Sequence, residues 1–251
     1  MTSNAHKREP LLTAEYFDKD VAYEQNDAIP KFEKKLAGDV PDKKQRARLR
    51  FVLFQKKLHL IISRYSRGDD VAELPAMLPS VVEALALYQS EDLHEPFDIQ
   101  SVDDYQTALW LLSLAIAFRA DPATCEKLVA LISNQGKDAL VDSLIKQLRP
   151  LDRPTIQLLH PALTQSLYAA TQASPPNQGA CLKDHLQSWY SARSDVYWHD
   201  NHKGPEGGGF FGYWSIEAAG VVVAFGMDDV SFQDMRYYPK DLVAYHRARQ
   251  N

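Results

Sequence analysis

An all-α protein of about ten helices, in a compact bundle-like array of two closely packed subdomains, is the fold class that this sequence predicts. Three observations predict it. Apolar residues recur at helical spacing wherever a period can be read, no polar/apolar alternation of useful length appears, and the breaks between periodic segments are short and marked by proline, glycine or a capping side chain. The 251 residues, 45% hydrophobic and 24% charged, with eleven glycines, fourteen prolines and two cysteines, lie near globular averages. Disordered, collagenous, coiled-coil and disulfide-scaffold classes are therefore excluded.

The first helix begins near Thr13, carries Phe17, Val21, Ala28, Phe32 and Leu36, is bent or interrupted at Pro30 and ends at Gly38. From Pro41 to Arg67, Phe51, Phe54, Leu58, Ile61, Ile62 and Tyr65 share one face, and Gly68 stands where a C′ glycine ends a helix. Val71, Leu74, Leu78, Val82 and Leu85 keep the spacing, with regular helix expected from about Pro79. An acidic loop follows over Ser90 to Gln100. Ser101 and Asp104 have the spacing of a capping box, and Val102 to Arg119 is apolar nearly all round, as a central helix is. Asp121-Pro122 reads as N-cap and N1 of a helix carrying Cys125, Leu128, Val129 and Ile132, and another helix surrounds Leu140 to Leu148. Asp152 to Gln172 should hold one or two helices divided at Pro161, and Ser174-Pro175-Pro176-Asn177 is a break. Helical spacing resumes at Leu182, Leu186, Trp189 and Tyr190. The expected domains are residues 5–125 and 126–251, both helical.

A net charge of −5 hides an asymmetry. Residues 1–60 carry 13 basic and 9 acidic side chains, 61–126 carry 3 and 12, and 127–251 carry 12 and 12, which gives +4, −9 and 0. The 51 residues between Arg67 and Arg119 hold no Lys or Arg and ten carboxylates: Asp69, Asp70, Glu73, Glu83, Glu91, Asp92, Glu95, Asp98, Asp103 and Asp104. Such a field repels nucleic acid and favours cationic partners, including proteins built to hold nucleic acid; a solvated face that only aids solubility has the same composition. The segment through Lys7 and Arg8 leads into no apolar signal core, so the expected location is the cytoplasm. The longest apolar run, Ala108 to Phe118, has 11 residues against the roughly 20 that span a bilayer, so no membrane partner is expected. Cys125 and Cys181 lack CxxC or Cys/His spacing and are expected to be buried, reduced thiols.

Two stretches near the C-terminus invite chemical readings. Gly204 to Gly212 contains five glycines but neither the preceding strand of a dinucleotide fingerprint nor the Lys-Ser/Thr of a P-loop, so a tightly turned surface loop is the expectation. His199, Asp200 and His202 offer metal-ligand types, and a metal-dependent hydrolase centred on them is one alternative. Their spacing is not that of a helical two-His site, so neither metal nor cofactor is expected. There is no GxSxG elbow and no HExxH, and Glu217, among small helical residues, reads as a buried hydrogen-bonding partner rather than a general base. A helical adaptor that mimics DNA is the other alternative.

The ordered series Trp189-Tyr190, Tyr197-Trp198, His202-Lys203, Gly212-Tyr213-Trp214-Ser215-Ile216-Glu217-Ala218-Ala219, Gly226-Met227-Asp228-Asp229 and Tyr237-Tyr238-Pro239-Lys240-Asp241-Leu242-Val243 covers 55 residues. It resembles the C-terminal domain of the PoNi-type immunity proteins. Arg8-Glu9-Pro10-Leu11-Leu12, Tyr16-Phe17 and the basic helix through Arg50 and Lys57 are similar to that family's helical N-terminal domain. The resemblance implies a non-enzymatic bacterial immunity protein, encoded beside a polymorphic toxin such as a secreted DNase, including toxins of type VI secretion, that protects by binding the toxin. A nuclease needs a basic groove, which an acidic surface can occupy and find quickly. The expected contact residues are therefore Asp69, Asp70, Glu73, Glu91, Asp92, Glu95, Asp98, Asp103 and Asp104, with Tyr88, Phe97 and Tyr105 as aromatic anchors. Trp189, Trp198, His202, Tyr213, Trp214, Glu217, Tyr237, Tyr238 and Pro239 are expected to organise the fold. The expected partner is the toxin, with no nucleic acid, and a homodimer stays open.

Overall fold

Caps written in the sequence set most of the helix boundaries. The computed structural model describes residues 7–91, 97–132, 136–151, 154–204 and 208–249. Its α-helices are α1 (Ala14–Tyr23), α2 (Ile29–Ala37), α3 (Lys43–Arg67), α4 (Leu78–Gln89), α5 (Val102–Phe118), α6 (Pro122–Ile132), α7 (Ala139–Leu148), α8 (Pro161–Gln172), α9 (Pro175–Ser188), α10 (Ile216–Ala224) and α11 (Lys240–Arg247). No strand occurs among the described residues, so the chain is all-α. It divides into two compact units, one formed by residues 1–96 with 200–212, the other by 97–199 with 213–251.

In the first unit, the α-helix is interrupted next to Pro30, as expected. A π turn, Glu24–Ala28, joins α1 to α2 and places Pro30 in the first turn of α2. Asp42 caps α3 by accepting from the amides of Lys44 (2.9 Å) and Gln45 (3.2 Å). Gly68 ends it at φ 106°, a left-handed conformation that lets the Asp69 amide reach the Arg64 carbonyl at 3.1 Å. Helix α3 packs against α1, α2 and α4, and Phe17, Phe54, Leu58 and Ile61 fill the space between. Val71–Gln89, 19 residues reaching a mean hydropathy of 1.4, is long and apolar enough to cross a membrane. It is two 3₁₀ turns followed by twelve residues of α4, and Val71, Leu74, Leu78, Val81, Val82 and Leu85 are spent on the core.

The glycine-rich segment also belongs to this unit. Tyr16 donates its hydroxyl to the Phe210 carbonyl (2.7 Å), Ser66 donates to the Phe211 carbonyl (2.7 Å), and the Phe211 ring stacks on His59 at 4.0 Å. Gly208 sits at φ 56°, and a Cβ there would lie 2.5 Å from the Asn201 carbonyl oxygen, so the turn requires glycine. The expected surface loop is thus anchored at its end by two buried phenylalanines.

In the second unit, every residue from Tyr105 to Phe118 of α5 is buried. Helix α10 crosses α5 so closely that a Cβ on Gly220 would stand 2.2 Å from the Ser113 hydroxyl. Asp121 caps α6 as expected, accepting from the Thr124 amide (3.0 Å) and hydroxyl (2.6 Å). The expected capping box at Ser101 does not form, because the Asp104 carboxylate reaches back to the Asp98 amide (3.0 Å) and Ser101 makes no side-chain cap. Residues 154–160 form no helix, and two of their amides are taken up by two buried aspartates. Asp142 accepts from Thr155 (2.8 Å) and Asp138 from Leu159 (2.8 Å), which removes the need for intrahelical partners. Cys125 is buried, but Cys181 is only half-buried, and neither is in a disulfide.

Candidate functional site

Glu217, in the first turn of α10, is the centre of a fully buried polar network in the second unit. Its Oε1 accepts from Trp189 Nε1 (2.5 Å) and Arg193 Nη2 (2.7 Å), and its Oε2 from Gln106 Nε2 (3.2 Å). Arg193 also donates from Nε to Gln106 Oε1 (2.6 Å) and from Nη1 to the Trp189 carbonyl (3.0 Å), while its plane lies 4.9 Å from the Trp189 ring. His185 Nε2 is 3.0 Å from the Ser215 hydroxyl and 3.7 Å from Glu217 Oε1. Burial opposes ionisation of Glu217, but the Arg193 guanidinium, helped by His185, holds its carboxyl down to about 2. Burial pulls His185 below the usual imidazole range, so it is neutral here. A fully paired, enclosed carboxylate has no access to a substrate, and its chemistry is structural.

The aromatic motifs wrap this network. Trp198 stacks on Trp189 (5.5 Å) and Trp110 (5.8 Å) and packs against Tyr213 (5.5 Å). Tyr237, at φ 70°, is held between Trp189 (5.0 Å) and Tyr190 (5.7 Å), and its carbonyl accepts from the Ser215 amide (2.8 Å). Tyr238 donates to Asp229 Oδ2 (2.9 Å), whose Oδ1 takes Arg247 Nη1 (2.6 Å), and Pro239 leads into α11. Trp214 is buried. His202 lies apart, in the first unit, with its ring 5.9 Å from Phe210. His199 stacks on Tyr190 (4.2 Å) and Asp200 pairs with Lys203 (2.8 Å). Among the described residues no three His, Cys, Asp or Glu side chains stand together as metal ligands.

The acidic stretch is distributed differently from its sequence. Asp69 is clamped by Arg64 (2.5 Å) and Arg67 (2.6 Å), and Glu91, buried, by Arg46 (2.6 Å) and Arg50 (2.8 Å). Arginines of α3 therefore neutralise part of that acidic excess. Asp70 and Glu73 are exposed, Asp70 capping a 3₁₀ turn through the Ala72 amide and Glu73 pairing with Arg64. Asp98, Asp103 and Asp104 are half-buried, Asp103 accepting from the Tyr197 amide (3.0 Å). Asp92 and Glu95 lie outside the described residues. Phe97 and Tyr105 are buried, which takes them, like Glu91, off any surface that a partner can touch in this conformation; Tyr105 donates to Asp138 (3.2 Å), and burial raises its hydroxyl well above the ordinary range. Tyr88 is half-buried, its ring 5.1 Å from Phe51.

Arg193, Gln106, His185, Asp138 and Asp142 were not among the residues singled out by the sequence. Gln106 and Ser113 are the visible signals: polar residues in an otherwise apolar helix require partners.

Residues 8–130 match the family model described as PoNe immunity protein (PoNi), N-terminal, and residues 136–242 match PoNe immunity proteins (PoNi), C-terminal. No curated protein matches the chain. Among solved structures, the crystal structure of protein PA2201 from Pseudomonas aeruginosa is similar with a TM-score of 0.74 and 21% identity, over 100% of this chain and 93% of that one. That likeness concerns the fold.

Proposed function

The chain belongs to the PoNe immunity protein (PoNi) family, and from that premise we propose that it neutralises one cognate toxin, a nuclease, by stoichiometric occlusion in the cytoplasm. The match of both halves, over residues 8–130 and 136–242, carries the immunity reading. A non-enzymatic role fits the enclosure of Glu217, whose oxygens are all engaged by protein donors. The nuclease target is supported by the carboxylates of residues 61–126 that stay exposed, since a protein that grips nucleic acid presents a basic groove. Among the described residues of that stretch, Asp70, Glu73 and Glu83 are the exposed carboxylates in the first unit.

Reversing those three to lysine tests the electrostatic part. Association with the toxin encoded beside this protein is expected to slow by roughly tenfold or more at low salt, and the remaining rate to depend less on salt. Folding should be little changed, because none of the three is buried. Stopped-flow association at low and high salt is the measurement, and rates equal to those of the unaltered protein would remove this face from the contact.

A further inference from the structure

We infer that the groove between α2 and α4 seats a basic, amphipathic helix of the toxin. The inference rests on the inhibitory reading for the identity of that partner. Helices α2 and α4 both pack on α3, and a groove of about 430 Å³ is left open between them. It is lined by Leu53 of α3, by Leu36 and Ala37 of α2, and by Ser80, Ala84 and Leu87 of α4. The three α4 residues stand at i, i+4 and i+7, so they share one face over two turns, about 10 Å.

The cations at this groove are already engaged within the protein. Lys57 pairs with Glu33 (2.6 Å), and Arg50 pairs with Glu91 (2.8 Å) and donates to the Leu87 carbonyl (2.7 Å). What the groove offers an occupant is apolar surface and shape, with Leu87 43% exposed at its edge. A small polar ligand would need several converging polar groups, whereas a helix laying leucine-like side chains into a groove needs none.

The face of α4 points to the charge of that helix. Only 39% of the apolar stretch within Val71–Gln89 is buried, and the residues exposed there are Ala72, Ala76, Pro79, Ser80 and Leu87 with the carboxylates Glu73 and Glu83. No lysine or arginine lies in the segment. A segment that is apolar on its outer side as well as its inner one is suited to being covered on both, and carboxylates as its only charges favour a cover that carries Lys or Arg beside its apolar residues. A second copy docked through the same face about a two-fold axis would instead bring Glu73 and Glu83 towards their own counterparts. Glu83 also lines the groove, so the seat is continuous with the exposed carboxylates proposed to steer the toxin.

Ser80→Trp fills the groove from an exposed position, and Leu87→Arg sets a cation at its apolar edge. Each is expected to weaken toxin binding roughly tenfold or more, chiefly through faster dissociation, where the lysine reversals act chiefly on association. Both positions are exposed, so both variants should fold, and either one serves if the other does not. A model helix with leucine at i, i+3, i+4 and i+7 and lysine elsewhere probes the groove without the toxin. Fluorescence anisotropy is expected to show saturable binding to the unaltered protein, loss of it in both variants, and none for the leucine–glutamate counterpart. Failure of the lysine helix to bind, equal binding of the two helices, or folded variants that hold the toxin as tightly as the unaltered protein overturns the inference. So does a dimer, seen by sedimentation, that either substitution dissolves, which would assign the groove to a second copy. Binding of the lysine helix without any binding of toxin overturns the inhibitory reading, and the partner with it, but leaves the groove a seat for a basic helix.

Discussion

Arg193→Ala is expected to cost about 3–5 kcal/mol, because it leaves the Glu217 carboxylate buried without its cation. At about 2–4 °C per kcal/mol for a chain of this size, the melting temperature should fall by roughly 6–20 °C. The loss exceeds the value of the ion pair itself, since Gln106 and Trp189 also lose a partner held in place by the guanidinium. Acid sensitivity should change too. The Glu217 carboxyl is held at about 2, below its ordinary value of 4.5, so its contribution is complete above 4.5 and is lost as pH falls from there towards 2. In the variant, with the cation gone and burial unopposed, stability should no longer fall through that window on account of Glu217. Thermal melts between pH 2 and 7 check both effects, and a variant as stable as the parent at pH 7 would contradict the buried network as the scaffold of the second unit.

The second large effect is expected at Asp138. Its Oδ1 accepts from the amides of Leu140 (3.0 Å) and Val141 (2.9 Å) and from the Tyr105 hydroxyl (3.2 Å), and its Oδ2 from the Leu159 amide (2.8 Å). Asp138→Ala removes the cap of α7 and strands buried donors from three segments at once. A lost cap costs about 1 kcal/mol and each stranded buried donor about 1–3 kcal/mol, so a total near 3–5 kcal/mol is expected after relaxation. Asp138→Asn is informative because one amide group replaces an acceptor: it can keep the helix cap but then turns an N–H toward the Leu159 amide. It should therefore cost less than alanine, about 1–3 kcal/mol, and loosen residues 154–160 first. Chemical denaturation gives the totals, and amide hydrogen exchange at Thr155 and Leu159 reports the local release.

Helices were legible where their determinants are local. Asp42, Asp121 and Gly68 mark their own boundaries, and the apolar face from Phe51 to Tyr65 needed no distant information. Residues 154–160 were misread because the Thr155 and Leu159 amides are satisfied by Asp142 and Asp138, up to 21 positions away, which a helical period cannot reveal. Glu217 was legible as a buried partner, but Gln106, 111 positions earlier, and Arg193 look like ordinary polar residues until the fold brings them together. Charge counts misled for a related reason. Glu91 meets Arg46 45 positions away, and Asp69 meets Arg64 and Arg67, so an acidic segment of sequence is not an acidic face.

The central claim is that protection works by one-to-one binding of a toxin. Titrating the proposed cognate toxin with increasing amounts of this protein, and following nuclease activity, tests that most directly. The account predicts a sharp endpoint near one equivalent, with a dissociation constant at or below the nanomolar range, about −12 kcal/mol or stronger. Protection by far less than one equivalent would show turnover, and full toxin activity in the presence of excess protein would show no inhibition; either result would contradict it.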